Sequence, residues 1–484
     1  MSRWGRLGGM ILALVFLLAP MAGWTAEVPA PGGPVLTLPQ LTDMALKFSP
    51  DVKASQSEVK FAKEQKNEVH GYRWPQFDAT ALGGVVPKAH LPVQTTPGQP
   101  LLQRDPKDST HGVNIFGHLD FTFIQPLYTF GKIAYREGAT EKNIKVKEEG
   151  VVAKQGEVIV LVSQAYYGLI LANQGKEAVK EARSYLSDTK ERINRLIAVR
   201  SPNVKETDKY RLAAYEGAIE KSGAEAEEGA KTAYRALKAL TGYPPDQDFQ
   251  VPTDLPNPTA APGSLDTQIQ TALELRPEFK QLKEGLVARQ LLVDAAKADR
   301  MPSLFFAVVG QLAGAPGRKW NPDPYTNDWF NDNGALPMVG AKWHFDFGIL
   351  KAKIGQAKAE LEQLQYQERT ALMGIPVQVA KDYGDVQTNY KGSVGLEKAY
   401  VNARRWLVTT FSNFDMGLGN ISDIFQAFER YGVFRGDYLM TLYQYNLAMA
   451  QLEKDTGAYR RKLPAETKTA PQPAVKPVSL KTTK

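Results

Sequence analysis

The chain of 484 residues carries 59 lysines and arginines against 52 aspartates and glutamates, a formal net charge of +7 scattered along its length. It contains no cysteine, which excludes disulfides, thiolate metal sites and a lipid-bearing N-terminal cysteine. The interleaved charge is typical of solvated helical surfaces rather than of nucleic-acid binding, so no nucleic-acid partner is expected.

The first 26 residues have the pattern of a secretory signal. Arg3 and Arg6 precede an apolar run from Met10 to Leu18, and small residues follow before Glu27. This run is too short and too early for a mature transmembrane helix, and no later segment has eighteen apolar residues in a row. We therefore expect residues 1–26 to be a signal peptide.

The next residues predict a helix over about 39–72, with a local break at Ser49-Pro50, and then a strand over about 76–86. A polar loop leads to a second strand over about 113–128. Its two faces differ, since apolar and polar side chains alternate from 114 to 123: Ile115, Leu119, Phe121 and Phe123 against Asn114, His118, Asp120 and Thr122. This alternation is typical of a strand whose two faces meet different media.

A long helix is predicted from Lys132 to Arg200. Apolar residues recur in it at every seventh position from Ile144 to Ile193, which indicates a coiled-coil seam. Such a helix is about 100 Å long at about 1.5 Å per residue, so it must lie beside others like it. A second helix is predicted over about 205–240, and residues 243–263 form a proline-rich linker.

The same order of elements then repeats. Residues 265–310 echo residues 38–83 at a constant offset, and two further strands are predicted at about 303–313 and 338–347. A second long helix follows, whose heptad row has one polar member, Ser393. The sequence thus divides into two repeats, residues 27–255 and 256–463, and a tail, 464–484, whose composition predicts disorder.

Four amphipathic strands are too few to close a membrane barrel, since the smallest such barrels have about eight strands. Open sheet edges are not tolerated in lipid, so membrane-spanning strands would have to be shared by at least two chains. A soluble four-stranded sheet is the alternative, although no apolar helix is placed to cover its apolar face.

Several segments in a fixed, duplicated order carry a resemblance to a known family: LTLPQLTDMAL followed by Ser49-Pro50-Asp51, strand starts at Pro75 and Pro302, QPLYTFGK at 125–132, and GLGNISDIFQAFERY at 417–431. Over about residues 36–460 the chain resembles the TolC family of outer-membrane efflux proteins. The resemblance implies a mainly α protein with a small β part. It further implies that three chains, each contributing four strands, share one transmembrane β-barrel, which continues into a long α-helical coiled-coil barrel.

The resemblance implies a passive exit channel of a tripartite efflux or type I secretion system. The homotrimer would sit in outer-membrane lipid, with its helices in the periplasm, and work with a periplasmic adaptor and an inner-membrane pump. A structural coiled-coil surface protein or adhesin is the alternative, and a periplasmic adaptor is disfavoured because no lipoyl-like segment separates the helices. The exported substrate stays open.

No motif for chemistry accompanies these elements. The five histidines show no HExxH or paired ligand spacing, and neither a P-loop nor GxSxG is present. We therefore expect no enzyme activity, no cofactor and no metal.

By family position, four residues near the far helix tips are candidates for a periplasmic gate. Asp423 and Gln426 match pore-ring positions, Phe414 occupies the site of an aromatic hydroxyl, and Asp208 matches the partner of that hydroxyl. Phe414 lacks the hydroxyl, and Gly419 replaces a basic residue, so the salt-bridge lock of the family cannot form here. The alternative is that Asp423 merely caps the last helix.

Overall fold

The structure, a computed structural model, describes residues 33–87, 112–199, 201, 204–259, 263–316, 318 and 328–463. The predicted signal peptide, 1–26, and the predicted disordered tail, 464–484, lie outside the described residues.

The secondary structure comes in two sets of matching length. The first set is α1 (Leu38–Phe48), α2 (Pro50–Gly71), β1 (Gln76–Pro87), β2 (Val113–Tyr128), α3 (Lys132–Ala198) and α4 (Glu206–Thr241). The second is α5 (Leu265–Leu275), α6 (Pro277–Ala298), β3 (Ser303–Gly314), β4 (Asn333–Lys342), α7 (Ile349–Asp415) and α8 (Ile421–Thr456), followed by a 3-10 turn, Ala458–Lys462. Corresponding helices have equal lengths of 11, 22, 67 and 36 residues, which confirms the predicted duplication.

A capping residue splits the first predicted helix in two. Ser49 ends α1, and its hydroxyl accepts the backbone N–H of Val52 at 3.4 Å, the start of α2. Pro50 occupies the first position of α2, where a missing N–H costs nothing. Arg276 and Pro277 make the same break between α5 and α6.

The heptad row of α3 faces inward, and so does that of α7 from Val379 to Phe414, whereas its first member, Leu372, is 43% exposed. Every member of the α3 row is buried or half-buried, and Val158, Leu186 and Ile193 expose 3% or less. In α7 the polar member, Ser393, is also buried, because its hydroxyl donates to the carbonyl of Tyr390 at 2.7 Å. Within the described residues α3 alone is long and apolar enough to cross a membrane by composition, a property that buried core helices share.

The four strands form one antiparallel sheet in the order β1-β2-β3-β4. The two repeats therefore join through β2 and β3, where Phe121 pairs with Gly310. Strand β1 pairs only with β2, and β4 only with β3, so both outer edges of the sheet are open within the described chain. These four strands do not close into a barrel by themselves, because a barrel requires further strands at both edges.

The fourth strand differs from the prediction, since β4 covers 333–342 rather than 338–347. Its partner β3 begins at Ser303, which pairs with Lys342, so residues beyond 342 have no strand beside them. Trp343 instead donates its indole N–H to the carbonyl of Arg300 at 2.8 Å. Asp346 accepts the N–H groups of Gly348 and Leu350, so this segment forms the turn into α7.

Three apolar clusters hold the helices together. The first lies where α1, α3 and α4 meet, and the third at the matching place in the second repeat, where α5, α7 and α8 meet. The second cluster, called here the tip cluster, joins the far ends of all four long helices through residues such as Leu186, Leu212, Leu407 and Phe425. The two repeats are therefore packed together at the tips as well as through the sheet.

Candidate functional site

The sheet has one polar and one apolar face. The register places on one side Asp78, Thr80, Asn114, His118, Asp120, Thr122, Gln311 and Lys342. The other side carries Phe77, Val85, Ile115, Phe121, Phe123, Phe306, Val308 and Val339. Val85, Ile115 and Val339 each expose 70% or more of their surface, so none of the described residues covers this part of the apolar face. The predicted facing of β2 is confirmed.

The segment before β4 folds over one end of the polar face. The ring of His118 stacks on Trp329 with centroids 4.2 Å apart, and its Nδ1 lies 2.9 Å from the carbonyl of Trp329. Phe116 packs edge-on against Phe330. His118 therefore keeps its predicted place on the polar face but is only 2% exposed, which alternation alone did not reveal.

At the opposite end of the molecule, Asp208 and Asp423 occupy the same position in α4 and α8, the third residue of the helix. Each carboxylate accepts the N–H of its helix's N-cap residue: Lys205 at 2.8 Å for Asp208, and Asn420 at 3.4 Å for Asp423. The capping geometry is thus present in both. Asp208 is buried, whereas Asp423 is exposed and lines a shallow depression beside Trp406 and Leu418.

The other two candidates have different surroundings. Phe414 is 6% exposed and packs in the tip cluster, in the company of Leu407 and Ile421. Gln426 is exposed on α8, one turn beyond Asp423. Among the described residues, no hydrogen bond or ion pair links Asp208 to Asp423 or to Gln426, so these side chains share an end of the molecule without touching through polar contacts.

A polar link that the sequence analysis missed does join the two repeats at the tips. Arg192 of α3 donates to both carboxylate oxygens of Asp415 at the end of α7, at 2.8 and 3.0 Å, and lies 5.1 Å above the ring of Phe411. The hydrogen bond from Arg192 holds the pKa of Asp415 below its usual value against the opposing effect of burial. No local pattern predicts a contact between residues 223 positions apart.

A second link lies beside it. Arg211 of α4 donates to the hydroxyl of Ser422 in α8 at 2.8 Å and lies over the ring of Phe425. Tyr215 donates to Glu429 at 3.1 Å. Both contacts run between α4 and α8, so the tips of the two helix pairs are held together within one chain.

Helix α7 also carries a second apolar row that points away from the chain. Its members are spaced by seven or multiples of seven and expose between 38% and 68% of their surface: Tyr366, Met373, Val394, Val401 and Val408. The signal for this row was present in the sequence, as a heptad series parallel to the buried one, and was overlooked. Uncovered apolar rows on long helices are typical of interfaces with another helix.

Within the described residues, no group of three or more histidine, cysteine, aspartate or glutamate side chains could hold a metal ion. The described chain thus has a sheet with one polar and one apolar face, two long helices, α3 and α7, and a far end where polar side chains link the helix tips.

Residues 268–458, most of the second repeat, match the model of a family described as outer membrane efflux protein. No curated protein sequence matches the chain. Among solved structures, the outer-membrane channel OprN has a TM-score of 0.70 at 16% identity, with 87% of this chain and 89% of that one covered. The CmeC outer membrane channel of Campylobacter jejuni has a TM-score of 0.68 at 18% identity, with 92% of this chain and 94% of that one covered. The outer membrane protein VceC of Vibrio cholerae has a TM-score of 0.70 at 16% identity, with 87% of this chain and 96% of that one covered. At these identities the likeness shows a shared fold.

Proposed function

We propose that the chain, whose residues 268–458 match the outer membrane efflux protein family, is a member of that family and that three copies form a passive exit channel in the outer membrane. In this proposal the strands of the trimer line a pore through the lipid, and the long helices enclose a tunnel in the periplasm. Transport is driven by an inner-membrane pump that reaches the tunnel through a periplasmic adaptor. The observation that carries the proposal is the sheet with one polar face, one bare apolar face and two open edges.

The two faces of the sheet fit a barrel wall. In lipid every backbone N–H and C=O must be paired, so β1 of one copy has to pair with β4 of the next. Three copies supply twelve strands, above the minimum of about eight for a membrane barrel. The apolar face, with Phe77, Phe121 and Val339, then meets lipid, and the polar face, with Asp78, Asp120 and Lys342, meets water in the pore.

The uncovered row on α7 supports a second copy as the occupant of that face. The row runs from Tyr366 to Val408, over about 60 Å of helix at about 1.5 Å per residue. A partner helix of similar length is needed to cover it, and among the helices of the described residues only α3 and α7 have 67 residues. A neighbouring copy of the same chain supplies such a helix.

The tips fit a periplasmic gate. Asp423 is exposed, so three copies place a ring of carboxylates where the helix ends converge, with Gln426 adding hydrogen-bonding capacity one turn further on. Phe414 contributes by packing in the tip cluster, and Asp208 by fixing the start of α4. A ring of negative charge favours cations and repels anions, an effect that salt weakens.

The adhesin alternative accounts for the long helices but not for the sheet. A coiled-coil surface protein has no need of four strands with most of their polar residues on one face. Drug efflux and type I protein secretion both use a duct of this kind, and they are distinguished by the pump: a proton-driven transporter in one case, an ABC transporter in the other.

Assembly is tested by mass measurement of the mature protein in mild detergent, where a trimer is expected. Met373→Glu places a charge in the apolar row of α7 and should reduce the trimer fraction. Gln367→Glu, the same new charge one position off a row member, serves as the control. A stable, water-soluble monomer of the unchanged protein would contradict the proposal.

Conduction and gating are tested by single-channel recording in planar bilayers. Asp423→Asn should lower cation selectivity, because it removes three charges from the ring, and Phe414→Ala should raise conductance by loosening the tips. Asp208→Asn is the matched control, since it changes the equivalent capping residue at a buried position. If Asp423 only caps its helix, both Asn variants will leave selectivity unchanged.

A further inference from the structure

Two buried carboxylates lie against each other where α7, α8 and the α5–α6 junction meet. Asp382 of α7 is 5% exposed, and Asp455, near the end of α8, is 1% exposed. Gln378, one turn before Asp382 on α7, donates its side-chain amide to Asp455 at 2.9 Å, so the two buried carboxyl groups lie beside each other. Two ionised carboxylates cannot hydrogen-bond to each other, because neither has a hydrogen to donate, whereas a carboxyl group that keeps its proton can donate it to its neighbour.

The surroundings supply donors to one of these carboxylates and few to the other. Asp455 accepts the side-chain amides of Gln378 at 2.9 Å and Gln451 at 2.8 Å, both on Oδ2. Its Oδ1 has two cations nearby, Lys454 at 3.5 Å and Arg276 at 3.6 Å. Asp455 is therefore the group that the protein stabilises as an anion.

Asp382 has a single and weaker cationic neighbour. Its Oδ1 lies 3.9 Å from Lys381, which is largely exposed and pairs more closely with Asp385, at 3.0 Å. Its Oδ2 is buried without a hydrogen-bond partner, as is Oδ1 of Asp455. A buried polar atom without a partner carries a cost, and a proton shared between the two carboxyl groups removes it.

We propose that Asp382 and Asp455 form a proton switch, in which a shared proton holds α7 to α8 and to the α5–α6 junction, and its loss loosens that junction. The proton resides on Asp382, which donates to Asp455. When the proton leaves, two negative charges remain in a buried space. Arg276 and Lys454 both lie beside Asp455. The charge on Asp382 has the largely exposed Lys381 at 3.9 Å. Like charges in such a place repel strongly, so the helices separate or admit water.

The charges around the pair agree with this assignment. The groups that face it are Lys381 and Asp385 on α7, Lys454 on α8, Arg276 and Glu278 at the α5–α6 junction, and Tyr459 in the turn after α8. Burial, together with the hydrogen bond to Asp455, raises the pKa of Asp382 to about 7. Burial opposes ionisation of Asp455 too, but the bond from Asp382, Lys454 and the amides hold the pKa of Asp455 below its usual value.

The sign of the pH effect follows from proton binding. The closed junction keeps one proton up to about pH 7, whereas an opened junction with hydrated aspartates releases it near their ordinary pKa of about 3.9. Opening therefore becomes easier as pH rises from about 4 to about 7, by at most about tenfold per pH unit, and no further above that.

The first repeat provides an internal control. Position by position along the matched helices, Ala165 corresponds to Asp382 and Leu240 to Asp455, and Ser49 stands where Arg276 does. None of these three side chains titrates, so the first repeat should lack the switch.

The test is amide hydrogen exchange of the mature protein, assembled in detergent, between pH 5 and pH 8. After correction for the intrinsic pH dependence of exchange, the opening equilibrium of segments around Asp382 and Asp455 should rise at least tenfold and level off above about pH 7. Segments around Ala165 and Leu240 should show no such rise. Because no transport is measured, failure here leaves the proposed channel function standing.

Two variants sharpen the result. Asp382→Asn keeps an N–H donor toward Asp455 but has no proton to lose, so its exchange should stay at the low-pH level throughout. Glu397→Gln removes an exposed carboxylate on the same helix, far along it from the pair, and should retain the full pH dependence.

Exchange that does not vary with pH in the unchanged protein, or an equal pH dependence in Asp382→Asn, would overturn the proposal. Should Asp382→Asn fail to assemble, infrared titration of the unchanged protein gives a second reading. A protonated carboxyl band that disappears near neutral pH is expected, and its absence at pH 6 would equally refute the switch.

Discussion

The junction of a short helix, a long helix and a returning helix is built twice in this chain, and the two copies have different interiors. In the first, α1, α3 and α4 meet around Leu41, Val162 and Leu237, each fully buried. In the second, α5, α7 and α8 meet around Val379 and Leu452, which are also buried, but a polar cluster lies beside them.

Some features of the junction are the same in both repeats, and others differ. Helix lengths are identical in the two repeats, because struts that run side by side have to end together. The apolar contacts at the centre of each junction are likewise kept, since they hold the short helix against the long ones. The neighbouring positions are free to differ, and in the second repeat Arg276, Asp382 and Asp455 occupy them.

The largest expected effect comes from removing the equivalent buried leucine side chain at the centre of each junction. Leu237→Ala and Leu452→Ala each delete a fully buried side chain, and such deletions cost about 2–5 kcal/mol. The loss should be greater at Leu237, because the cavity there is walled by apolar groups and stays dry, whereas water can enter beside the polar cluster near Leu452.

The measurement is chemical denaturation followed by the helical circular dichroism signal, with both variants compared in the same detergent. A cost below about 1 kcal/mol at either position would show that its junction is not close-packed.

An intermediate effect is expected from matched glycines in the sheet. A Cβ on Gly310 of β3 would lie 2.3 Å from the ring of Phe121, whereas one on Gly83, the equivalent residue of β1, meets nothing closer than 3.7 Å. Gly310→Ala should therefore cost about 1–3 kcal/mol through displacement of the Phe121 ring, and Gly83→Ala much less. Heat resistance of the assembled barrel in gel electrophoresis checks this, and equal behaviour of the two variants would mean that the ring moves freely.

The smallest effect is expected at the tips, where the repeats touch each other. The ion pair of Arg192 with Asp415 is partly exposed, with side-chain exposures of 28% and 50%, so it should contribute about 0.2–1 kcal/mol. The equivalent positions of the other repeat hold Thr409 and Ala198, which cannot form such a pair.

A double-mutant cycle of Arg192→Ala and Asp415→Ala measures this coupling. The pKa of Asp415 is lowered in the folded protein, so the contribution is complete above the ordinary aspartate pKa of about 3.9 and is lost as pH falls through the lowered value. The coupling should thus be present at pH 7 and shrink in strong acid; a coupling that grew on acidification would rule out the ion pair as its source.

Much of this fold could be predicted from the sequence because it is written in local periodicities. The alternation in β2 gave the two faces of the strand, and the heptad row from Ile144 to Ile193 gave the length and buried side of α3. The break at Ser49-Pro50 and its repeat at Arg276-Pro277 follow from the chemistry of capping and of proline, which depends on neighbours only.

The fourth strand shows where local pattern misleads. Residues 339–347 alternate as a strand should, yet β4 ends at Lys342 because a strand exists only where a partner lies beside it, and β3 begins at Ser303. The alternating Trp343 and Phe345 continue beyond that point without a ladder. The candidate tip residues stand in a similar position: their place at the helix ends was predictable, but the burial of Asp208 and the exposure of Asp423 were not.

The duplication could thus be read from the repeated sequence. The lengths of the long helices and the facing of the strands could be predicted as well, because both follow from patterns among neighbouring residues. The tertiary structure alone decided which distant groups meet: β2 beside β3, Arg192 against Asp415, and Asp382 against Asp455. These contacts join segments separated by 73 to 223 positions, and their energies depend on distance and burial in space. A carboxylate reads the same in the sequence whether it faces water or another buried carboxylate; only the packing of α7 against α8 makes Asp382 a group that holds a proton.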